Sequence, residues 1–289
     1  MQRPTTYYQV EFREFTIGLR LSSREEFASD RAALFQVLFA GEYDVLLEAI
    51  QPGDVVVDCG ANIGCFTILA AIRAGPRGVV LAVEPDPENA KVLRHNVAAN
   101  SIQNVIVEES ALAGVAGQVV RFSSGGVTAK IDTGGELLVT TTSLPDILRK
   151  HSISTPHVMK VDVEGSEISI LSDGESRAIV CTTPSVAIEV HSSEAESLIS
   201  SVLAACGADL RGPLRESDYI ARLLPRVLIH PYLTARLYGL DAINVSKRVL
   251  SGLLSRDRAR IPATYEGGII YATRRHVTTS PNPHPHHYD

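Results

Sequence analysis

The chain has 289 residues, 45% of them hydrophobic and 21% charged, enough for one large globular domain or two small ones, and whole-chain disorder is excluded. Its net charge of −6, from 27 basic and 33 acidic residues, gives no global basic field of the kind a nucleic-acid partner needs. The opening MQRPTTYYQV lacks the apolar run of a signal peptide, and no apolar stretch reaches the ~18 residues of a membrane span. Four cysteines (Cys59, Cys65, Cys181, Cys206) form no CxxC pair, so free thiols and a cytoplasmic location are expected.

Residues 7–21 alternate apolar and polar side chains, which predicts a strand or hairpin, and 24–50 reads as helices broken near Gly41. Residues 1–50 thus form an N-terminal extension. Beyond Pro52 strands and helices alternate. Val55-Val56-Val57 is wholly apolar, as a strand covered on both faces should be. A helix is expected over 62–74, a strand over 79–83, a helix over 87–100 beginning at Pro87, and a strand over 105–107. Residues 118–142 read as a hairpin excursion with glycine turns at 125–126 and 134–135. Helix 143–151, strand 158–163, helix 166–173, strand 185–190 and helix 193–206 follow. The alternation predicts an α/β fold with a parallel, doubly wound sheet over 51–275.

Residues 211–262 differ in kind. Ten Arg or Lys stand there against four Asp or Glu, a local +6 that leaves −12 for the remainder. Helical patterns near 218–229 and 235–254 make this a basic helical insertion before a late strand at 268–274. Its basic face is either simply solvated or forms a lid that meets an anionic or membrane-presented acceptor. The His/Pro-rich tail, 276–289, has no apolar periodicity and reads as disordered.

The strand VVVD runs into Asp58-Cys59-Gly60-Ala61-Asn62-Ile63-Gly64, and a helix follows. Glycines let a backbone turn sharply against a ligand, and the helix N-terminus offers unpaired N–H groups. The second strand leads into Glu84, 24 residues after Gly60, where a carboxylate can accept from both ribose hydroxyls of an adenosine. A dinucleotide fingerprint needs G-x-G-x-x-G, and Asn62 stands at its second glycine. Asp58 and Glu84 are carboxylates, which disfavour a diphosphate and suit the cationic S-adenosylmethionine.

The stretches VVVDCGANIGCFTILAA, GVVLAVEPDPENAKVLRHNV, VMKVDVEGSEISIL and VAIEVHSS together resemble the FkbM-type methyltransferases. The resemblance covers roughly residues 42–192 and the strand near 268–274. It implies a Rossmann-like methyltransferase fold, with a seven-stranded sheet whose last strand is antiparallel. It implies S-adenosylmethionine as cofactor and a hydroxyl oxygen of a small molecule, secondary metabolite or glycan as acceptor. By the same resemblance Asp58, Gly60, Asn62 and Gly64 surround the methionine part of the cofactor, Glu84 holds the ribose, and Ser110 sits near the adenine edge. Asp162 and Glu164 face the transferred methyl group and the acceptor. The sequence departs from the family at Cys59, where valine or isoleucine is usual, and at Pro145, where an acidic residue is usual.

In a strand, Lys160, Asp162 and Glu164 point to one face, at the carboxyl end where an open α/β sheet binds ligands. Methyl transfer to oxygen needs a positioned hydroxyl and a group to take its proton. Asp162 and His191 are the candidate bases, His191 because an imidazole near neutral pKa suits the task. Lys160 is expected to pair with Glu164 or Glu189. Asp162, Glu164 and Glu189 offer hard oxygens to a divalent metal, although no metal ligand is assigned. Two other functions compete: a nicotinamide-dependent oxidoreductase, disfavoured by Asn62 and by the lack of a Tyr-x-x-x-Lys pair, and a non-catalytic nucleoside-binding module. No NPPY-type tetrapeptide supports methylation of a nucleic-acid base.

Overall fold

The structure is a computed structural model describing residues 5–124, 130–214 and 268–274. Strands β1 (Tyr7–Glu11) and β2 (Thr16–Arg20) form the expected hairpin. Helix α1 (Arg24–Leu34) is capped by the Ser23 side chain and continues as a π-helical turn, 35–40, ending at Gly41. Helix α2 (Asp44–Ala49) follows. The doubly wound part then runs β3 (Val55–Cys59), α3 (Cys65–Ala74), β4 (Val79–Val83), α4 (Pro87–Ala99) and β5 (Val105–Glu108). An excursion, β6 (Ala111–Leu112), β7 (Val119–Ser123), β8 (Lys130–Ile131) and β9 (Leu137–Thr142), forms its own small sheet. Helix α5 (Leu144–Lys150), strand β10 (Val158–Val161), helices α6 (Glu167–Ser172) and α7 (Gly174–Thr182), strand β11 (Ser185–Val190), helix α8 (Ser193–Ala205) and strands β12 (Asp209–Leu214) and β13 (Gly268–Thr273) complete the chain.

The main sheet has seven strands in the order β12-β13-β11-β10-β3-β4-β5. From β11 to β5 all pairs are parallel, and β13 runs antiparallel to both neighbours. Alternating side chains of each central strand feed two cores. Val56, Val80 and Val158 point toward α1–α3 and the hairpin; Val57, Leu81 and Met159 point toward α5–α8. The wholly apolar sequence of β3 is the consequence of this two-sided burial.

Three expectations change. Helix α7 lies where no element was expected, because Asp173 ends α6 and at once caps α7. Strand β12 occupies the first four residues of the expected insertion, so Arg211 belongs to the sheet; the rest of the insertion and the tail lie outside the described residues. Cys181 and Cys206 form a disulfide (Cα–Cα 5.5 Å), because α7 and the end of α8 pack side by side on one face of the sheet. Only Cys59 and Cys65 are free thiols, both buried. No helix among the described residues is long and apolar enough to cross a membrane.

Candidate functional site

Strand order reverses between β3 and β10, and a crevice opens at their carboxyl ends. It holds a cavity of about 930 Å³, counted to its open mouth, whose wall includes Gly60, Asn62, Glu84, Ser110, Asp162 and Glu164. Tyr43 of the N-terminal extension and Glu189 of β11 close one side. Three sequence candidates do not line it directly: Asp58 and Gly64 stand next to lining residues of the glycine loop, and His191 lies 3.3 Å from Glu164.

The glycine loop is built for close approach. Gly60 has φ +80, and a Cβ there would stand 1.8 Å from the carbonyl oxygen of Asp162. Gly64 has φ +91, and a Cβ there would collide with Leu93. Asn62 also adopts a left-handed φ, +50, and its N–H donates to Glu84 Oε2 at 2.7 Å. Glu84 Oε1 accepts from the Asp86 N–H at 2.9 Å. Burial pushes the Glu84 carboxyl up to about 7, against the pull of these N–H donors. Glu84 is braced from the N-terminal hairpin: Arg20, ion-paired with buried Asp30, donates to Asn89 Oδ1, and the Asn89 amide donates to Glu84. Asn96 ties the same hairpin to the loop, accepting from the Gly18 N–H at 2.7 Å and donating to the Ile63 carbonyl at 2.9 Å.

Asp58 is fully buried and accepts from the Thr67 hydroxyl at 2.6 Å. Its other oxygen lies 3.3 Å from Lys160 Nζ. Lys160 is buried too; its ammonium donates to the Gly60 carbonyl at 2.8 Å, lies 3.2 Å from Asp162, and sits over the Tyr43 ring. The expected partners of Lys160, Glu164 and Glu189, are therefore replaced by Asp58 and Asp162: in register, Lys160 stands beside Asp58 across the β10–β3 ladder. Burial raises the Asp58 carboxyl, with Lys160 and Thr67 opposing.

The Tyr43 hydroxyl lies 3.2 Å from Asp162 and 3.1 Å from Glu189, which brings the two carboxyl groups to one hydroxyl. Burial and the Asp162 charge push Glu189 well above the carboxylate range. Asp162 goes the other way: burial is outweighed by Lys160, Glu189 and His191, and its carboxyl is lowered.

His191 departs from the expected near-neutral imidazole. Its Nδ1 is 2.8 Å from Glu167 Oε1, and its Nε2 is 3.3 Å from Glu164 Oε2 and 3.8 Å from Glu189. Burial alone would lower its pKa, but the bonds to Glu164 and Glu167 overcome it and hold the imidazole at about 11.

The wall chemistry fits S-adenosylmethionine. Ser110 Oγ is buried without a hydrogen-bond partner and faces the cavity, ready for the edge of a heteroaromatic base. Glu84 suits vicinal hydroxyls, and Asp162 suits an ammonium or sulfonium. A diphosphate would instead meet both carboxylates. Tyr43, Glu167, Arg20, Asn89 and Asn96 are not among the site residues that the sequence singles out. Tyr43 stands 119 residues from Asp162, and no spacing rule joins them.

The profile of the methyltransferase FkbM domain matches residues 58–210. A hexuronic acid methyltransferase from Haloferax volcanii is 30% identical, aligned over 52% of this chain and 63% of its own. A 31-O-demethyl-FK506 methyltransferase from Streptomyces tacrolimicus is 29% identical, over 44% of this chain and 61% of its own. The chain thus spans less than two thirds of the length of either relative. Fibrillarin from Aeropyrum pernix, solved with S-adenosyl-L-methionine, is 14% identical over 94% of this chain and 84% of its own, with a TM-score of 0.41. With the match spanning the glycine loop, Glu84, Ser110, Asp162 and His191, the chain belongs to the FkbM family of S-adenosylmethionine-dependent methyltransferases.

Proposed function

We propose that this protein is an O-methyltransferase, moving the methyl group of S-adenosylmethionine to a hydroxyl of a glycan or other small-molecule acceptor. The observation that carries the reading is the placement of Asp162 and Glu189 together on the cavity wall, with the Tyr43 hydroxyl against both and the Lys160 ammonium against Asp162. When bound, the cofactor supplies an electrophilic methyl carbon on a sulfonium. Glu84 holds its ribose hydroxyls, Ser110 meets its adenine edge, and the close approach at Gly60 and Asn62 admits its amino-acid part. Asp58 acts indirectly, by keeping Lys160 in place against Asp162. The Asp162–Glu189 pair orients the acceptor hydroxyl and takes its proton while the oxygen–carbon bond forms, the carbon–sulfur bond breaks, and its electron pair stays on sulfur. Glu164 lines the acceptor end.

Two relatives support the acceptor class, one named for a hexuronic acid and the other for a 31-O-demethyl substrate. The test uses S-adenosylmethionine carrying a ¹³C-methyl group and a panel of hydroxylated glycans and polyketides. A product whose labelled carbon resonates as a methyl ether supports the reading. Label found only on nitrogen, sulfur or carbon overturns it.

A further inference from the structure

We infer that Asp162, Glu164 and His191 form a binding site for a divalent cation at the acceptor end of the cavity, an assignment whose catalytic role rests on the methyl-transfer reading above. One ligand atom from each residue lies within 4.8 Å of the other two, a span that a single ion of Mn²⁺ or Mg²⁺ size closes by small side-chain movements. The three come from the loop after β10 and the residue after β11, on either side of the same crevice mouth.

The imidazole is prepared for this role. Its Nδ1 is engaged by Glu167, whose side chain is buried, in the carboxylate–histidine arrangement that orients a ligating ring and leaves Nε2 for the metal. Nε2 is sealed from solvent and faces the carboxylates, 3.3 Å from Glu164 and 3.8 Å from Glu189. Four carboxyl groups, those of Asp162, Glu164, Glu167 and Glu189, crowd around this one ring, and Lys160 is already shared between Asp58 and Asp162. A dication balances that concentration of acid. One imidazole with two carboxylates suits Mn²⁺ or Mg²⁺ more than a thiophilic metal. A cation there lowers the pKa of an acceptor hydroxyl that reaches it.

The test measures Mn²⁺ binding to the full chain, stripped with chelator, by calorimetry and by pulsed electron paramagnetic resonance. One equivalent should bind, with the ¹⁴N coupling of a directly ligated imidazole. His191→Ala should remove that coupling and weaken binding at least tenfold, and Glu164→Gln should weaken binding by a similar factor. Glu84→Ala should abolish S-adenosylhomocysteine binding and leave Mn²⁺ binding intact, so failure of the cation site and failure of the methyltransferase reading are distinguishable. Absence of stoichiometric Mn²⁺ binding, or binding without ¹⁴N coupling in the unmodified chain, overturns the assignment even if a variant does not fold. Coupling that persists in a folded His191→Ala protein also overturns it.

Discussion

Lys160→Met removes the buried ammonium that stands between Asp58 and Asp162. Asp58 is then left fully buried with only the Thr67 hydroxyl at hydrogen-bond distance, and Asp162 and the Gly60 carbonyl each lose their ammonium contact. Breaking a buried ion pair by deleting one partner costs ~3–5 kcal/mol, because the remaining charge is uncompensated. With two carboxylates affected, about 4 kcal/mol is expected, roughly a 10 °C fall in Tm for a domain of this size. The sign of the pH dependence follows from Asp58. Burial already raises its carboxyl with Lys160 opposing, and removal of Lys160 raises it further. A carboxyl raised on folding favours the native state at low pH and loses that contribution as pH rises. The Lys160→Met penalty, read by urea unfolding, should therefore be larger at pH 8 than at pH 5. Lys160→Met with Asp58→Asn should recover much of the loss. A penalty below about 1 kcal/mol, or a double variant no more stable than the single, refutes the reasoning.

Glu84, with a carboxyl at about 7, should make the native protein lose about 3 kcal/mol of stability between pH 4.5 and pH 8, since its raised value favours folding only while the group stays protonated. Glu84→Gln should flatten that slope in urea titrations; an unchanged slope contradicts the assignment. Gly60→Ala places a methyl 1.8 Å from the Asp162 carbonyl at a left-handed φ, so S-adenosylhomocysteine affinity, measured by calorimetry, should fall at least 100-fold. Wild-type affinity in that variant contradicts the loop geometry. Cys206→Ser opens a loop closed across a separation of 25 residues and should cost about 3 kcal/mol in chemical denaturation under non-reducing conditions, an effect that vanishes when both proteins are reduced.

The doubly wound sheet was legible because its signals are local: β3 is apolar throughout, Pro87 and Asp86 open α4, and Gly60 and Gly64 bracket the loop. Glu84 and Asp162 stand out for the same reason, each lying just beyond the carboxyl end of a recognisable strand, whereas Ser110 follows only from the family resemblance. Partners across the fold were not legible. Lys160 pairs with Asp58 through the β3–β10 register, which no single-strand pattern encodes. Tyr43 reaches the carboxyl pair from the extension because the π-helical turn ends at Gly41 and α2 packs on β10 and β11. The contacts of His191 with Glu164 and Glu167 come from the loop after β10 and the start of α6, which no pattern around His191 encodes. Helix α7 was missed because Asp173 serves as both stop and cap, and the Cys181–Cys206 pairing because it joins two helices whose neighbourhood is tertiary.

The most direct test of the account is calorimetric titration of the purified protein with S-adenosylhomocysteine, with NAD in a parallel cell. Micromolar binding of the homocysteine form, lost in Glu84→Ala, and no NAD binding are expected. NAD binding without S-adenosylhomocysteine binding would contradict the account.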